Sequence, residues 1–121
     1  MKKTVIVGAT PNSSRYAFMA AERLTYHQHE IVPLGIKRGE VFGKEILPIR
    51  KSPSIEDVHT ITLYLGAKHQ PEYYDYLLGL KPQRIIFNPG TENKEFMQLA
   101  QDNGIEIVTG CTLVMLGVGN Y

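Results

Sequence analysis

A single cysteine, Cys111, stands among the 121 residues of this chain. No internal disulfide can brace the fold, and such sparing use of thiols fits a reducing compartment. Net charge is nearly absent as well, since 13 Lys and Arg against 12 Asp and Glu leave +1. A balance of that kind creates no field to gather nucleic acid or an anionic membrane surface. No apolar run approaches the roughly 20 residues that cross a bilayer. Met1-Lys2-Lys3 leads directly into a strand-like run without the pattern of a secretory signal. The expectation is a cytoplasmic protein with neither nucleic-acid nor membrane partners. Repeats, low-complexity tracts and linkers are missing too, so residues 1–121 read as one domain, long enough for one sizeable core. With 43% hydrophobic and 21% charged residues, the composition is that of an ordinary globular protein.

What is present is most informative near the start. Val5-Ile6-Val7-Gly8-Ala9-Thr10-Pro11-Asn12-Ser13-Ser14-Arg15 runs from β-branched apolar residues through a glycine and a small-residue loop into a helix expected at Ser13 or Ser14. This is the form of a buried parallel strand turning tightly into a helix N-terminus. Such an N-terminus carries unpaired N–H groups and partial positive charge, and so attracts phosphate. Two serine hydroxyls and Arg15 reinforce that reading over a merely structural turn.

Strand-like and helix-like segments then alternate. Strands are expected at Lys3–Gly8, Glu30–Leu34, His59–Leu65, Arg84–Asn88 and Ile105–Val108. Pro33 offers no ladder donor and places the second strand near an edge. Helices are expected from Ser14 to about Gln28, with Ala17, Ala20, Ala21 and Leu24 inward, and over Pro71–Leu80, with Tyr73, Tyr74, Leu77 and Leu78 as its apolar stripe. A third covers Asn93–Asp102, with Phe96, Leu99 and Ala100 inward and Asn103-Gly104 as its stop, and a short one covers Cys111–Leu116. Gly35–Pro53 reads as irregular, and Ser54-Ile55-Glu56-Asp57 has the spacing of a capping box that starts one helical turn. The alternation calls for an α/β fold: a three-layer, Rossmann-like parallel sheet of five strands in the order 3-2-1-4-5, with helices on both faces. Its ligand crevice is expected at the carboxyl ends of the first and fourth strands.

Of the dinucleotide fingerprint G-x-G-x-x-G the first loop keeps only Gly8, with Thr10 and Ser13 at the later glycine positions. At the end of the second strand, NAD-binding proteins place an acid that accepts from the ribose. This chain has Gly35-Ile36-Lys37-Arg38-Gly39 instead. Two adjacent cations suit a ribose phosphate, as in NADP or coenzyme A, unless both are simply solvated loop residues.

Taken together, Val7-Gly8-Ala9-Thr10-Pro11-Asn12, Leu34-Gly35-Ile36-Lys37, Val41-Phe42-Gly43 through Leu47-Pro48, Phe87-Asn88-Pro89-Gly90 with Asn93-Lys94-Glu95, and Gly104-Ile105 through Gly110-Cys111 resemble one family. It is that of the small coenzyme A-binding Rossmann domains related to the N-terminal domain of the succinyl-coenzyme A synthetase α subunit. The resemblance spans nearly the whole chain. It implies that Gly8, Ala9 and Thr10 cradle the pyrophosphate, with Ser13, Ser14 and Arg15 at the helix start beside it. It further implies that Lys37 faces the adenosine phosphate, that Leu65 lines the adenine or pantetheine path, that Asn88 and Gly90 lie on the same rim, and that Cys111 precedes the last helix near the coenzyme's thiol end. The chain departs from the family at Gly35-Ile36, where Asn-Pro is common, and at Phe87-Asn88-Pro89-Gly90. It also has neither the phosphorylated-histidine domain nor the grasp subunit of the ligases.

No catalytic constellation emerges. His27 and His29 share no helical face, and His59 and His69 have no Cys or acidic partner at ligand spacing, which speaks against a metal site. Cys111 has no sequence-near base, and Tyr73, Tyr74 and Tyr76 fit helix packing better than a stacking platform. The expectation is a coenzyme A-binding module for a small nucleotide ligand, without evident catalysis. Two alternatives stay open: a minimal NADP-dependent oxidoreductase, and a regulatory protein that retained the fold. The apolar tail Leu116–Tyr121 and outlying tyrosines permit a homodimer.

Overall fold

The computed structural model describes residues 1–121. Its elements in chain order are β1 (Thr4–Val7), α1 (Tyr16–Tyr26), β2 (Ile31–Gly35), β3 (Glu40–Val41), β4 (Lys44–Glu45), β5 (Leu47–Pro48), β6 (Thr60–Leu63), α2 (Tyr74–Gly79), β7 (Arg84–Phe87), α3 (Lys94–Asp102), β8 (Glu106–Thr109) and α4 (Thr112–Val118). Six strands form one sheet in the order β5-β2-β1-β6-β7-β8, and β3 and β4 form a separate hairpin. All pairs in the main sheet are parallel. No helix is long and apolar enough to cross a membrane.

The class matches expectation, while the strand count and order need correction. The third strand expected at His59–Leu65 is β6, and it lies beside β1 rather than beyond β2. The outer place beyond β2 is taken by Leu47-Pro48, from the segment expected to be irregular. Two residues in a Gly- and Pro-rich stretch carry no readable period-two pattern, so this strand is invisible in the sequence. Pro33 lies next to this edge, and the register of β5 on β2 starts only at Leu34. The sheet order therefore reverses between β1 and β6, and the crevice belongs at the carboxyl ends of those two strands, not at those of β1 and β7.

Alternation on the strands sorts two cores. Val5, Val7, Ile61, Leu63, Ile85 and Phe87 meet Tyr73, Leu77, Phe96 and Ala100 on one face. Ile6 and Ile86 meet Ala17, Ala21, Leu24, Leu116 and Tyr121 on the other. Ala17, Ala20, Ala21 and Leu24 are all buried as their helical spacing predicts. The second face also carries buried Thr4, Thr60, Thr62 and Arg84. Each of these residues has a hydrogen-bond partner within the fold, while Arg84 Nη2 is left without one. Thr4 Oγ1 pairs with the Tyr121 hydroxyl at 2.5 Å, and Arg84 Nε donates to Thr60 Oγ1 at 2.8 Å. Tyr121 is thus folded inward, 8% exposed, rather than displayed for a partner.

Two expected helical starts differ. Ser54–Asp57 forms no helix; the chain there is irregular, Ile55 packs against the core, and Asp57 has φ +57°. Pro71–Tyr73 is a 3-10 turn, so α2 starts at Tyr74. In that helix region Tyr73 is buried while Tyr74 and Tyr76 are half-buried against the core, in line with packing.

Candidate functional site

Val7 ends β1 in the sheet, and Gly8 turns the chain with φ +96°. A Cβ at Gly8 would stand 3.0 Å from the Tyr64 carbonyl oxygen, so both backbone conformation and space require glycine. The N–H groups of Gly8 and Ala9 both donate to the Leu34 carbonyl, tying the loop to the end of β2. Gly35 packs hard against this loop, since a Cβ there would lie 2.8 Å from the Ala9 carbonyl oxygen. Asn12 organises the remainder of the loop: its N–H donates to Thr10 Oγ1, and its Oδ1 accepts from both the N–H and the hydroxyl of Ser14. Helix α1 consequently starts at Tyr16, with Arg15 as its N-cap, two residues later than the serines suggest. The N–H groups of Tyr16 and Ala17 have no protein acceptor.

A crevice of about 530 Å³ opens over these groups, at the carboxyl ends of β1, β2 and β6. It lies within the size range of small-molecule sites. Gly8, Ala9, Thr10, Arg15, Lys37, Leu65 and Gly90, all expected at the site, line it. Lys37 lines it, and its neighbour Arg38 does not. Four expected residues stand outside the lining. Ser13 is exposed, and Ser14 is held by Asn12. Asn88 is buried, with Nδ2 donating to Thr62 Oγ1 and the Leu63 carbonyl while Oδ1 accepts from the Thr112 N–H. It therefore joins β6, β7 and the start of α4. Cys111, half-buried, supplies the N-terminal boundary of α4, and its carbonyl accepts from Met115.

Several lining residues escape a reading of the sequence. Arg50 reaches the crevice from a 3-10 turn, Ile49–Lys51, which is anchored by buried Ile49 and follows β5. Its signal is hidden with that of β5. Tyr64, Ile36, Tyr16, His69, Glu72 and Thr91 also line the crevice. The Tyr64 hydroxyl is buried without a partner, because the adjacent hydroxyls of Thr62 and Thr112 bond each other at 2.7 Å. Burial pushes its pKa up to about 12. His69 is the one histidine on this rim. His29 and His59 sit at the opposite end of the sheet, where Lys2 N–H donates to His29 Nδ1 and His59 Nδ1 pairs with Thr60 Oγ1. Burial and nearby Arg84 and Lys2 lower the pKa of both. No three His, Cys, Asp or Glu side chains gather at a common point in the structure.

A parallel sheet with a reversal of strand order between β1 and β6, and a crevice at that switch point, defines a Rossmann-like domain. Residues 2–117 match the CoA binding domain family, and the chain belongs to that family. An uncharacterized protein of known crystal structure is 55% identical over 100% of this chain and 98% of its own, with TM-score 0.96. A hypothetical protein from Pyrococcus horikoshii OT3 is 26% identical over 93% of this chain and 80% of its own, with TM-score 0.81. A protein from Thermus thermophilus shares the fold at 18% identity and TM-score 0.85, over 99% of this chain and 90% of its own. No curated protein matches the sequence.

Proposed function

We propose that the chain binds coenzyme A or an acyl-coenzyme A in this crevice, as a ligand-binding module without a catalytic centre of its own. The observation that carries this reading is the convergence of acceptor-free N–H groups at the start of α1 with Arg15, Lys37 and Arg50 over one crevice, in a chain of the CoA binding domain family. Coenzyme A offers a pyrophosphate and a ribose 3′-phosphate at one end, and both need donors and positive charge. Gly8, Ala9, Thr10 and the α1 N-terminus suit the pyrophosphate. Lys37 suits the 3′-phosphate, Leu65 suits the adenine or pantetheine path, and Gly90 lines the same crevice. A small-molecule nucleotide ligand of this kind fits a cytoplasmic setting.

Native mass spectrometry of freshly purified protein is expected to show retained coenzyme by its mass. Calorimetric titration is expected to rank coenzyme A above dephospho-coenzyme A by about tenfold, the worth of a charge-assisted phosphate contact. Absence of any coenzyme A binding would reject the reading, and tighter binding of NADP than of coenzyme A would replace it with the oxidoreductase alternative.

A further inference from the structure

At the amino end of the sheet, opposite the crevice, Tyr121 folds back after α4 and is buried. Its hydroxyl pairs with Thr4 Oγ1 at 2.5 Å, and its carbonyl accepts from Lys2 Nζ. The Arg84 guanidinium lies 4.5 Å from its ring centroid, and the half-buried His29 ring packs on it at 4.9 Å. Lys2 links these contacts. Its N–H donates to His29 Nδ1 at 3.0 Å, and its carbonyl accepts from the Thr4 hydroxyl at 2.9 Å. The Thr4 proton is thereby spent on Lys2, so Tyr121 is the donor to Thr4 Oγ1.

A backbone N–H can only donate, so His29 Nδ1 must keep its lone pair. The imidazole in this arrangement is neutral, with its proton on Nε2. A proton added at Nδ1 removes the acceptor that anchors Lys2. It also sets a cation among cations, since Lys2, Arg84, His27 and the Met1 amino group face His29. The adjacent Glu30 is paired with Lys3 at 3.9 Å, and burial raises the pKa of the Tyr121 hydroxyl, which stays neutral. The Tyr121 ring face offers little in return, because Arg84 and Lys2 already lie over it at 4.5 and 5.8 Å.

We infer that His29 is a pH-sensitive clasp: its protonation frees Lys2 and lets Tyr121 swing out from the amino end of the sheet, baring the Arg84 guanidinium. Burial and the surrounding cations lower the His29 pKa from its usual 6.5. The clasp is therefore closed at neutral pH and opens as pH falls below that value. His59, whose Nδ1 pairs with Thr60 Oγ1 at 2.7 Å, takes no part in holding Lys2. The clasp lies at the opposite end of the strands from the crevice and does not depend on what the crevice binds.

The test is NMR of the full chain with a neutral, soluble paramagnetic probe, which broadens signals of side chains that solvent reaches. At about pH 7.5 the Tyr121 ring is expected to be protected, with Tyr26, 76% exposed, as the broadened reference. At about pH 5 broadening of Tyr121 is expected to rise about threefold or more, while buried Leu24 and Ile85 stay protected. The midpoint of that rise should coincide with the titration of the His29 ring. His29→Asn keeps a side-chain acceptor near the Nδ1 position without a titratable group, so Tyr121 should stay protected throughout. His59→Asn should leave the wild-type rise in place. A Tyr121 ring still protected in the wild type at about pH 5, or a rise that persists in His29→Asn, overturns the inference. If His29→Asn does not fold, the wild type alone decides: a midpoint that departs from the His29 titration rejects the clasp. Loss of protection at Leu24 and Ile85 together with Tyr121 rejects it too, as the mark of global unfolding.

Discussion

Gln70 donates through Nε2 to the Thr91 carbonyl at 2.9 Å, and so fastens the turn after β6 to the loop after β7. The same amide donates to the Leu65 carbonyl at 2.8 Å, and Oε1 accepts from Asn93 Nδ2 at 2.9 Å. Asn93 in turn N-caps α3 through the Phe96 N–H. One fully buried side chain therefore holds three segments around the crevice. Gln70→Leu takes the side-chain donor from the Leu65 and Thr91 carbonyls and leaves Asn93 Nδ2 with the Tyr74 hydroxyl as its remaining acceptor. It is expected to lower unfolding free energy by about 2–4 kcal/mol, read as a lower midpoint in urea denaturation. Loss of coenzyme affinity should accompany it, because Leu65, Gly90 and Thr91 are then no longer held in register.

Gly8 in the first loop and Gly35 at the end of β2 are both fixed by close backbone approach. Gly35→Ala places a methyl group 2.8 Å from the Ala9 carbonyl oxygen, so the end of β2 or the loop after β1 must move. A loss of about 1–3 kcal/mol is expected from such overpacking, with weakened ligand binding. Gly8→Val is expected to destabilise the protein even without ligand, given its φ of +96° and the Tyr64 backbone 3.0 Å away. A valine at Gly8 is thus a probe of turn geometry first, and equal thermal stability of variant and wild type would refute this account.

Legibility of the chain follows the length of each pattern. Continuous apolar runs at Thr4–Val7 and Arg84–Phe87 and the alternation at Thr60–Leu63 are readable because these strands are buried between two packed layers. The two-residue β5 is not, and its loss misplaces β6 and conceals Arg50. Gly8 to Thr10, Arg15 and Lys37 are suggested by loop chemistry and line the crevice, whereas Asn88, on the same rim, spends its amide on bonds within the fold and is outside the lining. Its position at a strand end points to the rim; its partners Thr62 and Thr112 come from far along the chain and are visible only in three dimensions.

Stability is expected to decline at both ends of the pH scale. Folding raises the Tyr64 pKa from 10.0 to about 12 through burial, so its contribution is complete below about pH 10 and is lost as pH rises toward about 12. Tyr121 is shifted in the same direction, again mainly by burial. Tyr64→Phe removes a hydroxyl that has no partner, so it should be neutral or stabilising and should flatten the alkaline decline. His29 and His59 are lowered from 6.5, mainly by burial. Their contribution is present above that value and is lost as pH falls below it. Urea midpoints measured across pH for wild type, Tyr64→Phe and His29→Gln/His59→Gln should resolve the two limbs; an unchanged alkaline limb in Tyr64→Phe would exclude Tyr64 as its source.

The division between Lys37, Arg50 and Arg38 provides a direct test of where the ribose phosphate lies. Lys37 and Arg50 line the crevice from two separate segments, one after β2 and one after β5, whereas Arg38 is exposed outside the lining. A phosphate between two cations gains from each, but exposed side chains are screened and the gains are modest. Lys37→Ala and Arg50→Ala are each expected to reduce the preference for coenzyme A over dephospho-coenzyme A severalfold, by about 1 kcal/mol, and the double substitution to abolish it. Arg38→Ala should leave the preference within about twofold of wild type. The dephospho form should bind the single variants almost as well as wild type, because the pyrophosphate site proposed at the α1 N-terminus and the Gly8 loop is untouched by either substitution. If Arg38→Ala removes the preference while Arg50→Ala preserves it, the phosphate lies outside the crevice, on the far side of the β2 loop.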